Sequence, residues 1–168
     1  MTRLAQEAVR QAKSVLTKFK VESAPIPIEQ IARARGIAVQ HLPLDDELSG
    51  MSFIKNGISV IVVNAAHHPN RQRFTIAHEL GHHIMHADYL LDNVHVDKAV
   101  LHRNSRSSDG VDTKEIEANA FAAEVLMPTS LMRSYKDLDI NDERKLASVA
   151  KHFRVSVSAM IIRILNLS

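Results

Sequence analysis

The chain has 168 residues, 45% hydrophobic and 24% charged, with a formal net charge of +2 and no cysteine. That length suits one principal domain able to bury roughly 70% of its unfolded surface. The near-balanced charge argues against a polybasic nucleic-acid or membrane binder, and the lack of thiols excludes disulfide frameworks, thiolate metal sites and cysteine nucleophiles.

Apolar residues at helical spacing (Leu4, Ala8, Ala12, Val15, Leu16, Phe19) predict an opening helix over 4–19. It stops at Ala24-Pro25-Ile26-Pro27, because Pro27 disfavours a helical conformation at Ile26. A second helix over 28–35 ends at Gly36. A short strand over 37–42 follows, then two apolar runs, 51–54 and 58–63, joined by Asn56-Gly57, the strongest short hairpin signal. A polar loop with Pro69 leads to a helix over 71–88, a strand over 94–101 and a Ser/Arg-rich segment, 103–110, that reads as a disordered loop. A helix over 114–127 stops at Pro128, and two more over 142–153 and 158–166 complete the chain. No apolar run reaches membrane-span length and the N-terminus has no signal-peptide core, so the expected setting is the cytoplasm.

Four of the ten histidines fall at His78, His82, His83 and His86. Within them stands His78-Glu79-Leu80-Gly81-His82, the pattern HExxH. On a helix, residues four apart share a face, so His78 and His82 present imidazoles to one ion. Glu79 is displaced by about 100° around the axis, where a carboxylate serves as general base without becoming a ligand. Such sites ordinarily take three protein ligands and keep one open position. His86 is about 12 Å along the axis from His78, too far to be the third on a straight helix. Asp88 has the spacing of HExxHxxGxxH/D enzymes, yet Met85 stands where that motif requires glycine. A carboxylate from the helix over 114–127 fits better. Glu115 shares its face with the small residues Ala118, Asn119 and Ala122, which permit close helix packing, and Asn119 is spaced to orient a ligating imidazole. The competing Glu117 shares its face with Phe121 and Glu124. Glu115 is the predicted third ligand and Glu117 the alternative.

The segment 71–82, Arg-Gln-Arg-Phe-Thr-Ile-Ala-His-Glu-Leu-Gly-His, resembles the ImmA/IrrE metallopeptidases, as does 115–128, from Glu115-Ile116-Glu117-Ala118-Asn119 to Met127-Pro128. With the preceding hairpin and the helical tail, the resemblance spans nearly the whole chain. It implies an α+β, zincin-like fold with a small twisted sheet, an HExxH helix and a helical C-terminal part. It also implies Zn2+ on His78, His82 and Glu115, with Glu79 as base. Characterised members of that family cut helix-turn-helix repressors, which induces mobile-element genes or a DNA-damage response. Many carry a fused helix-turn-helix domain ahead of the peptidase, for which this chain has no room, so a separate repressor protein is the expected partner. In this fold class a strand beside the metal helix pairs with extended substrate, a role that falls to 58–63.

The expected organisation is a metallopeptidase domain over 1–132 and a helical, helix-turn-helix-like subdomain over 133–168. Lys151, His152, Arg154 and Arg163 give that tail a basic character. The rival readings are therefore a protein that sequesters a repressor without cutting it, or one that contacts DNA through the tail. Tyr89, His95, His102, Tyr135, Arg71 and Arg73 are all eligible as the proton donor or oxyanion stabiliser a peptidase also needs.

Overall fold

The structure, a computed structural model, describes residues 3–98 and 109–167, with side chains for all of these except 109–112. The elements in order are α1 (Arg3–Lys18), α2 (Ile28–Ala34), β1 (Ile37–Leu42), β2 (Leu48–Lys55), β3 (Ile58–Asn64), α3 (Pro69–Met85), α4 (Ala87–Asp92), β4 (His95–Lys98), α5 (Asp109–Leu126), α6 (Thr129–Met132), a 3-10 turn (Arg133–Tyr135), α7 (Glu143–Phe153) and α8 (Val157–Leu167). The fold is α+β, as the sequence predicts.

The four strands form one mixed sheet in the order β1-β3-β2-β4. β2 and β3 are the predicted hairpin. Asn56 and Gly57 both have positive φ (52° and 74°), as a tight two-residue hairpin turn with the sheet's natural twist requires. β1 joins β3 in parallel, and β4 joins the far edge of β2 antiparallel, with Ser52 opposite His95. β3 therefore has neighbours on both sides. The expectation that 58–63 offers a free edge to substrate is corrected: its hydrogen-bonding groups are taken by β1 and β2. Its last five residues are all buried, the mark of an interior strand covered on both faces. Among the described residues the edges are β1 and β4.

Three other boundaries differ from the sequence reading. The predicted helix over 71–88 is two helices, because the backbone at His86 (φ −128°, ψ 32°) leaves the helical region between α3 and α4. α5 begins at Asp109, so 109 and 110 are helical, while 103–108 and the end of the 94–101 strand lie outside the described residues. The stretch after Pro128 also contains α6 and the 3-10 turn, which no periodicity announces.

α3 lies between the sheet and α5, while α1 covers the other side of α5. Small residues set both approaches. Ala8 and Ala12 of α1 are fully buried, and so are Ala118 and Ala122 of α5. Gly81 faces the Phe121 ring so closely that a Cβ there would lie 3.2 Å from it. Phe121 is itself completely buried, a burial worth roughly 1.5–3 kcal/mol. Leu146, Phe153, Met160 and Ile164 join the same hydrophobic cluster as the residues of the first 132 positions. Buried Arg163 of α8 is paired with Glu124 of α5 and donates from Nε to the Met127 carbonyl at 3.0 Å.

On the sheet side, β2 crosses α3 directly at Gly50, where a Cβ would stand 2.6 Å from both the Thr75 methyl and the Val62 carbonyl oxygen. The carbonyl belongs to the sheet backbone and cannot yield without breaking the ladder. Gly50→Ala is therefore expected to destabilise the fold by about 1–3 kcal/mol, read as a lower urea midpoint with an unchanged m-value.

Candidate metal centre

The eight consecutive residues from Thr75 to His82 are all buried. His78, Glu79 and His82 are exposed by only 1%, 0% and 0%. Three ionisable groups at the centre of a buried helix need partners, because an unsatisfied buried polar group costs about 1–3 kcal/mol, and more when charged. Two flanks supply them.

The first flank is α5. The Nε2 atoms of His78 and His82 face each other at 3.1 Å. Glu115 closes the third side, with Oε2 3.2 Å from His78 Nε2 and Oε1 3.2 Å from His82 Nε2. Behind His78, Nδ1 donates to Asn119 Oδ1 at 3.0 Å. An amide oxygen only accepts, so the His78 proton sits on Nδ1 and Nε2 is free to bind a cation.

The second flank is the sheet. Ser52 of β2 donates its hydroxyl to Glu79 Oε2. His95 of β4 places Nδ1 3.0 Å from the same oxygen and 3.2 Å from Oε1. Its other nitrogen, Nε2, is 2.8 Å from Glu115 Oε1. Carboxylates cannot donate, so both nitrogens of His95 carry protons and the ring is a cation held between Glu79 and Glu115. Burial works against that charge, but the Glu115 and Glu79 contacts outweigh it and push the His95 pKa up to about 10. Burial likewise favours the neutral acids, yet the His95 contact holds Glu79 below the ordinary carboxylate range, and the contacts with His78, His82 and His95 do the same for Glu115. Burial, with the neighbouring His78 and His95, pushes His82 down to about 4 despite the Glu115 contact, so its ring is neutral.

His78, His82, His95 and Glu115 each offer a ligand atom within 4.8 Å of the others. Donors held 2.0–2.1 Å from a tetrahedral ion lie roughly 3.3 Å apart, close to the 3.1–3.2 Å separations among His78, His82 and Glu115. Two imidazole nitrogens pointed at each other beside a carboxylate are a donor set suited to a cation among them. The residues present thus fit a divalent metal.

The remaining predicted residues divide cleanly. Glu117 does not join the cluster; its Oε2 is 2.8 Å from His86 Nε2, and His86 Nδ1 is 3.0 Å from His82 Nδ1. His83 Nε2 donates to the Val60 carbonyl at 3.2 Å. Of the residues eligible as proton donor, Arg71 is turned to Ser49, Arg73 to the Ile26 and Arg154 carbonyls, Tyr135 to Phe153, and Tyr89 lies beneath the Lys114 ammonium. His95 reaches the cluster; His102 lies outside the described residues. Ser52 escaped the sequence reading altogether. Its one signal was a hydroxyl inside an otherwise apolar strand, Met51-Ser52-Phe53-Ile54.

Comparison with known proteins bears on this site. The model of a peptidase family described as the IrrE N-terminal-like domain matches residues 32–165. The radiation response metalloprotease IrrE of Deinococcus radiodurans is 35% identical over 104 residues, 61% of this chain and 30% of that protein. A Mycobacterium tuberculosis transcriptional regulator of known structure superposes with a TM-score of 0.65 over 94% of this chain and 46% of its own, at 18% identity, which marks a shared fold. The chain thus spans about a third of the curated relative it matches.

The donor geometry has a direct consequence. After dialysis against a divalent metal, the wild-type chain should hold about one ion, while His78→Ala and Glu115→Ala should each hold far less, measured by elemental analysis. Full loading of Glu115→Ala would place the third donor elsewhere.

Proposed function

The chain belongs to the peptidase family of the IrrE N-terminal-like domain, and we propose that it is a zinc-dependent endopeptidase that cleaves a helix-turn-helix transcriptional repressor and so relieves repression of mobile-element or stress-response genes. One observation carries this reading: two buried imidazoles and a carboxylate converge at 3.1–3.2 Å beside a second carboxylate that stands outside their ring of contacts. The Deinococcus relative is by name a metalloprotease of a radiation response, which supports a regulatory substrate. No described helix is long and apolar enough to cross a membrane, and we assign the protein to the cytoplasm, where such repressors act.

In this reading His78, His82 and Glu115 hold the ion. Bound zinc supplies a Lewis acid that polarises the scissile carbonyl and brings the pKa of water near 7. Glu79 is the general base. Its Oε2 carries the Ser52 hydroxyl and the shorter His95 contact, which leaves Oε1, with only the longer 3.2 Å His95 contact, as the oxygen better placed to take a proton. Ser52 and His95 fix the carboxylate, and the charge on His95 keeps it ionised. Both His95 nitrogens are engaged by carboxylates, so His95 offers no lone pair while Glu79 and Glu115 hold it, and His78, His82 and Glu115 would be the ligands. The His95 cation is also the group best placed to meet negative charge developing on a substrate oxygen. β4, which brings His95 in, is among the described residues the sheet edge beside the cluster and takes the substrate-pairing role denied to β3. Residues 133–168 act as a helical subdomain braced on α5.

The decisive measurement incubates the purified chain with the repressor encoded beside it, with and without chelator. Glu79→Gln should retain about one metal ion and its partner while lowering the cleavage rate by roughly 10²–10⁴. Relief of repression by a Glu79→Gln chain that makes no fragments would instead establish sequestration. His95→Phe should also keep the metal and lose rate by at least about tenfold, whereas loss of the ion would make His95 a fourth ligand.

A further inference from the structure

Behind the two ligating imidazoles the structure builds two different supports. His78 rests directly on the Asn119 amide oxygen. His82 rests on a longer chain, His82 Nδ1 to His86 Nδ1 at 3.0 Å and His86 Nε2 to Glu117 Oε2 at 2.8 Å. We propose that Glu117 and His86 are positioning residues, a relay that fixes the tautomer of His82 and strengthens it as a metal donor.

The direction of every proton in the relay follows from its far end. The Glu117 carboxylate accepts and cannot donate, so His86 Nε2 carries a proton. Only one proton fits between the two Nδ1 atoms at 3.0 Å, and a His82 that ligates through Nε2 supplies it, so His86 Nδ1 is bare and accepts. The atom facing it, His82 Nδ1, must then carry the proton. Neutral His82 with its proton on Nδ1 has a bare Nε2, the atom 3.1 Å from His78 Nε2 and 3.2 Å from Glu115 Oε1. The reverse orientation would put a proton on His82 Nε2 and block it as a ligand.

Charge is the second part of the argument. The Asn119 oxygen is a neutral acceptor, but the His82 branch ends in a carboxylate whose side chain is 16% exposed, reached through an imidazole 7% exposed. In such a poorly solvated path the negative charge polarises both hydrogen bonds and raises electron density at His82 Nε2. The relay also explains why Glu117 is acidic without joining the ligand set. His86, too far along the axis from His78 to be a ligand, acts through His82 instead.

This assignment rests on the metal-site reading above, and the test separates the two. Zinc and cobalt affinities are measured by competition with a chromophoric chelator. His86→Leu and Glu117→Leu should each weaken binding by about 10–100-fold and shift the visible absorption of the cobalt form. His86→Asn, whose Oδ1 can stand in for the Nδ1 acceptor, should restore affinity to within a few-fold of wild type. Long-range ¹H–¹⁵N spectra of the zinc-free wild-type chain should show His82 protonated on Nδ1 and His86 on Nε2. Glu117→Gln keeps the shape but has an amide that can donate or accept, and should lose the single tautomer at His86. A wild-type His86 protonated on Nδ1 would overturn the relay, as would leucine variants that bind zinc like wild type. A wild-type chain that takes up neither zinc nor cobalt would overturn the site reading and the relay together.

Discussion

A helix that is polar at its buried centre constrains everything around it. Thr75 to His82 are enclosed on all sides, yet His78, Glu79 and His82 must be satisfied there. β2 meets α3 with matched periods: residues two apart on a strand are spaced about 6.6 Å and residues four apart on a helix about 6 Å. Gly50 sits over Thr75 and Ser52 reaches Glu79 by that match. The strand can lie this close because position 50 has no side chain. On the opposite side Gly81 admits the Phe121 ring, which brings α5 near enough for Glu115 to meet both imidazoles and for Asn119, one turn on, to support that of His78. The two glycines thus set the two separations on which the polar contacts depend.

The same enclosure shapes the charges. Glu79 and Glu115 are two carboxylates in a poorly solvated space, and His95 is the cation shared between them. His95 is held charged between them, and the Glu115 contact with the surrounding acids raises the His78 pKa against its burial. His82 goes the other way and stays neutral, with its Nε2 directed at the same point. The site is therefore organised around positive charge, the setting that His78, His82 and Glu115 would offer a divalent ion.

What the sequence disclosed and what it hid have a common physical basis. HExxH, the α5 pattern and the Asn56-Gly57 turn are local, carried by helical or strand periods over a few residues, and each was readable. Glu115 was reachable because small neighbours on one helix face signal close packing. His95 and Ser52 were not, because what joins them to Glu79 is the antiparallel register of β2 and β4, a long-range pairing that leaves no mark on either segment. The break at His86 was invisible for a different reason: neither glycine nor proline stands there, so the apolar period runs on from α3 into α4. The substrate role given to 58–63 overlooked a cue that was present. An unbroken apolar run such as Val60-Ile61-Val62-Val63 marks a strand with both faces covered, whereas an edge strand facing water tends to alternate.

The C-terminal helices illustrate how a charge count misleads when burial is ignored. Arg163 adds to the basic character of the tail, but its guanidinium is buried, paired with Glu124 and hydrogen-bonded to the Met127 carbonyl and the Thr129 hydroxyl. Glu124 in turn accepts from the Thr129 backbone at 3.1 Å, which secures the turn after α5. A guanidinium consumed in this way is unavailable to a phosphate, and separating the pair would leave a buried charge without compensation, a cost of several kcal/mol (~3–5). Phe153, Met160 and Ile164 extend the same attachment through apolar contact. The tail is therefore attached to α5, the helix that presents Glu115, Glu117 and Asn119.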